Sequence, residues 1–169
     1  MNENLLTSKP DNIWEQYDHL EDEIKVTMIS DVVYEGNRVT TMLWRVPRFL
    51  LPQLNTYRAF SRNVASNRAK RFSITSDQVW HKPYIPYIWQ KDHKGMQGEE
   101  QLEEWKLPFV NMIWKLSSLT QVMFATWLDR FGVSKQYTNR MIEGYMYVDY
   151  LVTSTNYEHF LLQRDSYHA

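Results

Sequence analysis

The hydrophobic pattern opens with two runs, IKVTMISDVV (24–33) and NRVTTMLWRV (37–46), rich in Val, Ile, Thr and Met and separated by Tyr34, Glu35 and Gly36. β-Branched content on either side of a glycine turn predicts two strands. PRFLLPQLNTYRAF (47–60) predicts a helix starting at Pro47, since proline is tolerated in a first turn. Pro52 inside it is expected to kink or delay that helix. WHKPYIPYIWQKDHKGMQGEE (80–100) reads as a loop, with prolines at 83 and 86 and glycines at 95 and 98. Loops of that length are often functional. EEQLEEWK (99–106) predicts a short acidic helix start. Pro108 opens the longest helical pattern, to about Phe131, with Met112, Ile113, Leu116, Leu119, Val122, Met123 and Trp127 at helical spacing. Gly132 is a good stop. SKQYTNRMIE (134–143) predicts another helix and YMYVDYLVTS (145–154) a strand. Thr155 with Glu158 forms a T-x-x-E capping box for a last helix, NYEHFLLQR. The chain therefore reads as α+β, with few strands and more helix, in a single domain over 13–169 behind a flexible N-terminus at 1–12.

Composition narrows the class. The chain has 169 residues, 43% apolar and 15% aromatic, which suits a packed core rather than disorder. Net charge is −1, which argues against a dedicated nucleic-acid coat or membrane-surface protein. No apolar run is long enough to span a bilayer, and the N-terminus lacks the features of a signal peptide. A cytoplasmic protein is expected. Cysteine is absent, which removes disulfides, thiolate metal sites and cysteine nucleophiles together. The histidines, at 19, 81, 93, 159 and 168, show no metal-ligand spacing, so no metal is expected. His81 and His93 read as solvated loop histidines. Gly-rich phosphate loops and the G-x-S-x-G elbow are absent.

Against this balanced background one run stands out. RAFSRNVASNRAKR (58–71) holds five basic residues, no acid, two serines and two asparagines. Guanidinium forks, hydroxyls and turn amides suit a phosphate or phosphate ester. Arg58, Ser61, Ser66 and Arg68 are the first candidates, and Asn63 and Asn67 suit tight turns. A solvated surface and a nucleic-acid patch are the other readings of such a run.

NTYRAFSRNVASNRA (55–69) resembles the signature of flavin-dependent thymidylate synthases, roughly R-H-R, two residues, then S-x-N-E-x-S-x-R. Arg58 falls on its second arginine, and Ser61, Asn63, Ser66 and Arg68 on the later positions. The likeness is greatest to a largely phage-encoded branch, the thymidylate synthase complementing proteins. PRFLLPQ precedes the run and puts Gln53 on a pyrimidine-contacting position. WQKDHKGMQG resembles W-x-K-N-x-x-G-M-Q. VSKQYTNRMIE resembles K-x-x-x-N-R-x-L-E, with Arg140 on a nucleotide-phosphate arginine. VTSTNYEHFLLQR resembles T-x-T-x-x-x-x-F-x-x-x-R, with Arg164 on an arginine shared by flavin and nucleotide. The motifs run in register from about residue 24 to the end.

The resemblance implies a small mixed or antiparallel sheet with long helices, assembled as a homotetramer with sites between subunits. It implies conversion of dUMP to dTMP with FAD as cofactor and NADPH and methylenetetrahydrofolate as co-substrates, or a related deoxypyrimidine hydroxymethylation. It implies nucleotide contacts from Gln53, Ser66, Asn67, Arg68, Arg140 and Arg164. Cofactor contacts are implied from Tyr57, Arg58, Ser61, Asn63, Asn156 and Arg164, with Arg58 and Arg164 positioning the reactants. The lack of cysteine fits a mechanism without a protein thiolate. This sequence departs from the signature at Thr56, Tyr57 and Val64, and stops at RDSYHA where the family continues into another helix. Those departures keep a second expectation alive: a catalytically inactive relative that binds nucleotide or flavin, or acts through protein contacts.

Overall fold

The computed structural model describes residues 24–94 and 100–162. The N-terminal segment, His19, His168, Arg164 and the glycines at 95 and 98 lie outside them. The predicted hairpin forms as β1 (Lys25–Tyr34) and β2 (Asn37–Pro47), antiparallel, with Tyr34 opposite Asn37. Its loop residues Glu35 and Gly36 both take positive φ, 49° and 79°. That backbone matches the twist of the strands and favours glycine at its second position. On this hairpin Asp31 accepts from the Arg38 guanidinium and, at 2.8 Å, from the Thr40 hydroxyl.

Pro47 closes β2 rather than opening a helix. A 3-10 turn, Arg48–Leu50, comes next, and only then α1 (Leu51–Thr56), with Pro52 in its first turn. Pro52 has delayed the helix, because its missing N–H is harmless only there. The chain then makes a short strand, β3 (Ser61–Val64), inside the basic run, and a helix, α2 (Phe72–His81). Neither element is predicted above. α2 ends at His81, so the expected loop starts two residues later than its sequence suggests. The acidic stretch contributes only a 3-10 turn at Glu104–Lys106, running into α3 (Leu107–Arg130). Gly132, at φ 82°, ends that helix. α4 (Lys135–Met141) begins at Ser134, whose hydroxyl accepts from the Gln136 amide. A 3-10 turn at Glu143–Tyr145 leads to β4 (Tyr147–Ser154), and α5 (Glu158–Leu162) follows. The side chain of Asn156 accepts from the Glu158 amide at 2.7 Å, so Asn156 rather than Thr155 caps the last helix.

All three strand pairings are antiparallel, in the order β1-β2-β4-β3. One face of the sheet carries Trp44, Val148, Tyr150 and Val152, packed with Phe60 and Phe160. The Trp44 and Phe60 rings meet edge to face, 5.7 Å apart. A second core joins α2, α3 and α4 through Phe72, Val79, Val122, Ala125, Ile142 and Met146. In α3 the buried positions are Ser118, Val122 and Ala125. Its large apolar residues Met112, Ile113, Leu116, Met123 and Trp127 are exposed. Small residues let α3 approach its neighbours closely, and the bulky stripe is left on the outer side.

Candidate functional site

The basic run is held in shape from beneath by two side chains on other elements. Arg48 is nine-tenths buried. It donates to the Glu143 carboxylate at 2.6 Å and to the Ala65 carbonyl at 3.2 Å. Burial of a guanidinium is tolerated because its charge is met and its N–H groups are used. Asn139 of α4 is fully buried. Its Nδ2 donates to the carbonyls of Asn67, at 2.9 Å, and Lys70, at 3.2 Å. Its Oδ1 accepts from the hydroxyl of Thr75 on α2. Between these anchors Arg68 N–H reaches Ser66 Oγ at 3.3 Å and Ala69 N–H reaches the Ser66 carbonyl at 3.0 Å, closing a tight turn.

Above the turn, Ser66 and Arg68 are exposed, whereas Asn67 is buried with its Oδ1 unpaired. Arg140 follows Asn139 on α4 and is exposed. Among the described residues Arg58, Arg68 and Arg140 have no side-chain hydrogen bond or ion pair. Charged forks held on an ordered surface without a carboxylate partner are suited to an anionic ligand. Gln53 is exposed on α1, with its carbonyl taking the Thr56 hydroxyl at 2.6 Å.

The residues expected to contact a cofactor divide into two groups. Tyr57 packs against the aromatic core, 4.6 Å from the Phe60 ring. Its hydroxyl is 2.9 Å from His159 Nδ1, and the two rings lie near parallel. Asn156 lies in the turn before the same helix. Ser61 and Asn63 are opposite Thr153 and Leu151 on β4. Alternation along a strand puts them on the sheet face away from Trp44 and Tyr150. There Thr41 and Thr153 share a 2.9 Å hydroxyl contact, which Ser61 adjoins in register. Behind the aromatic core, Tyr150 and Tyr157 have hydroxyls pushed to higher pKa by burial. Tyr157 donates to the carbonyls of Thr40 and Val152, both at 3.1 Å, and Tyr150 to Asn55 at 3.2 Å. They brace the strands rather than carry protons.

Arg48 and His159 do not stand out in the sequence, whereas Asn139 falls on the asparagine of the K-x-x-x-N-R-x-L-E motif that this stretch resembles. The signal for Asn139 is its place directly before Arg140, and for His159 its place directly before the core residue Phe160. His81 pairs with Asp77 at 3.3 Å and His93 rests on the Lys91 carbonyl at 2.8 Å, both exposed, as solvated loop and helix-end histidines would be. Among the described residues no His, Asp or Glu cluster could hold a metal. A cleft of about 600 Å³ lies between α2 and α3, lined by Trp80, Leu116, Met123 and Trp127 with Asp77 and Arg130. Among the described residues, none of the expected nucleotide or cofactor residues lines it.

The fold has solved relatives. The structure matches that of PolB, a UMP/dUMP methylase from Streptomyces cacaoi, solved with 5-Br UMP: TM-score 0.64, 13% identity, covering 78% of this chain and 71% of that one. PolB with 5-Br dUMP matches at TM-score 0.61 and 13% identity, over 78% of this chain and 73% of that one. This chain shares the PolB fold. No protein-family model and no curated protein matches the sequence. No helix among the described residues is long and apolar enough to cross a membrane.

Proposed function

We propose that this chain is a flavin-dependent thymidylate synthase-like enzyme that methylates a uridine monophosphate, dUMP first among them. The observation that carries the reading is the braced loop at 65–71, with its carbonyls tied inward and the guanidiniums of Arg68 and Arg140 left without partners. That arrangement has the chemistry of a phosphate site, in a fold shared with a UMP/dUMP methylase.

In this reading Arg68, Arg140 and Ser66 hold the phosphate, Asn67 the ribose side of the turn, and Gln53 the pyrimidine edge. Arg164 is assigned to the same site from the sequence motif. The residues assigned to FAD lie in two groups, Ser61 and Asn63 on one sheet face and Tyr57 against the aromatic core of the other. Arg58 offers a free guanidinium for a diphosphate, Ser61 and Asn63 an exposed hydroxyl and carboxamide, and Tyr57 an aromatic ring. FAD, if held there, would supply reducing chemistry for building the methyl group, while Arg58, Ser61, Asn63 and Tyr57 would hold it. The chain itself binds, orients and shields. Its positive groups stabilise charge that develops on the uracil ring, and with no cysteine available it makes no thiolate adduct.

A homo-oligomer, in the family form a tetramer, belongs to the same proposal. Met112, Ile113, Leu116, Met123, Phe124 and Trp127 of α3 are between 40% and 63% exposed in the single chain. A stripe of that kind on a long helix is suited to burial against another subunit.

The test is a spectrum of purified protein with added FAD and dUMP, followed by assay for dTMP and hydroxymethyl-dUMP with both co-substrates. A flavin band near 450 nm that responds to dUMP (the wavelength being roughly that of the free cofactor), with either product, supports the enzyme. Nucleotide binding with no flavin and no product would make it a non-catalytic nucleotide-binding relative.

A further inference from the structure

We infer that Asn139 is the positioning residue that turns the 65–71 loop into a phosphate site, by fixing which way its peptide planes face. The inference rests on the nucleotide-site reading above.

Asn139 is fully buried between α4, α2 and the loop, and every hydrogen-bonding group of its carboxamide is used. An apolar side chain would fill the same space. A carboxamide is needed only because the Asn67 and Lys70 carbonyls point into it. In a trans peptide the C=O of one residue and the N–H of the next point in opposite directions. Drawing the Asn67 and Lys70 carbonyls inward therefore turns the N–H groups of Arg68 and Arg71 the other way, the Arg68 N–H onto Ser66 Oγ at 3.3 Å. Arg48 does the same at Ala65, which turns the Ser66 N–H outward. The Ser66 and Arg71 amides turned outward in this way, beside the Ser66 hydroxyl that the Arg68 N–H holds in place, are suited to form an anion-binding concavity. Thr75 completes the device: fully buried itself, it bonds the Asn139 oxygen and so selects the carboxamide orientation with its NH2 toward the loop. Asn139 touches no ligand in this account. It acts through the loop.

The consequence separates phosphate recognition from base recognition. Asn139→Ala frees both carbonyls, lets the peptide planes rotate, and should cost dUMP affinity about tenfold or more. Affinity for deoxyuridine, which has no phosphate, should stay within about twofold. Calorimetry reads the first and NMR titration the second. Thr75→Val, which removes only the hydroxyl behind Asn139, should give a smaller loss with the same phosphate selectivity, and serves if Asn139→Ala does not fold. Val122→Ala, a cavity in the α2–α3–α4 core, is the stability control and should leave the dUMP-to-deoxyuridine ratio unchanged. Wild-type protein that binds neither dUMP nor UMP would overturn the nucleotide reading and this inference with it. Wild-type binding with an unchanged ratio in both Asn139→Ala and Thr75→Val would overturn this inference alone, as would equal loss of nucleotide and nucleoside.

Discussion

Arg48 and Glu143 lie on two 3-10 turns far apart in sequence, 2.6 Å from each other, with the guanidinium nine-tenths buried and the carboxylate partly open to solvent. The pair joins the end of β2 to the start of β4, alongside a backbone bond from Arg48 N–H to the Met146 carbonyl at 2.8 Å. Removing one partner strands the other. Glu143→Gln should cost about 1–3 kcal/mol, since it leaves a buried cation with a neutral acceptor. Urea unfolding measures it. Arg48→Met keeps the volume but frees the Ala65 carbonyl, and amide exchange at 65–71 should quicken. Unchanged exchange would mean the loop does not depend on Arg48.

Arg68 and Arg140 are exposed and have no side-chain partner among the described residues, so replacing them should not disturb the fold. Arg68→Ala and Arg140→Ala should each weaken dUMP binding by roughly 1.5–3 kcal/mol, the worth of a charged hydrogen bond. Calorimetry at constant salt is the measurement. Unchanged affinity in both would remove the nucleotide site from this surface.

The Tyr57 hydroxyl meets His159 at 2.9 Å. Tyr57→Phe breaks that contact while keeping the packing on Phe60 and Phe160. It should retain the fold and lower flavin content. Tyr57→Ala should lose FAD with dUMP binding mostly intact. Equal flavin content in wild type and Tyr57→Ala would reject a cofactor role.

The β1–β2 ribbon has its own acid sensitivity. Hydrogen bonds from Arg38, then from Thr40, lower the Asp31 carboxyl from 3.8 to about 2. A carboxylate that is more acidic folded than unfolded stabilises above its unfolded pKa. That contribution fades as pH falls from 3.8 through about 2. Amide protection across Met28–Met42 and Asp31–Thr40 should decline over that interval, and Asp31→Asn should flatten the dependence. A ribbon equally pH-dependent in the variant would point to another group.

The outer stripe of α3 predicts a change in assembly. Ile113→Asp or Trp127→Glu places a charge on a face that is exposed in the isolated chain, so monomer stability should change little. Light scattering should show a smaller species than wild type. An unchanged mass would free α3 from any role in association.

Much of this was legible in residue pattern. The hairpin announced itself through β-branched runs around Glu35-Gly36, and α3 through its spacing and Gly132. β3 did not, because Ser61-Arg62-Asn63-Val64 is polar and short and exists only by pairing with β4. α2 was hidden by its serines, threonine and isoleucine and by Arg71, which begins it without a side-chain cap. The apolar spacing of α3 marked a helix correctly but not which side was inside, since Ser118 and Ala125 are less conspicuous than Met112 or Trp127. The basic run itself, with its exposed Ser66 and Arg68, was visible in the sequence. The work of its supports was not: Asn139 lies on the motif's asparagine, but its bracing role, like that of the arginine after Pro47, shows only once distant carbonyls are placed beside them.

The strand order carries a consequence for how the protein is made. β3 touches no strand but β4, and β4 also lies between it and the hairpin. During synthesis the hairpin can close early, but Ser61–Val64 has nothing to pair with until Tyr150–Thr153 has left the ribosome. Asn139, too, arrives long after the loop whose carbonyls it ties. The loop proposed to hold phosphate is therefore among the last parts to be ordered as the chain emerges, and any nascent fragment ending before β4 exposes the open edge of β2 to other chains.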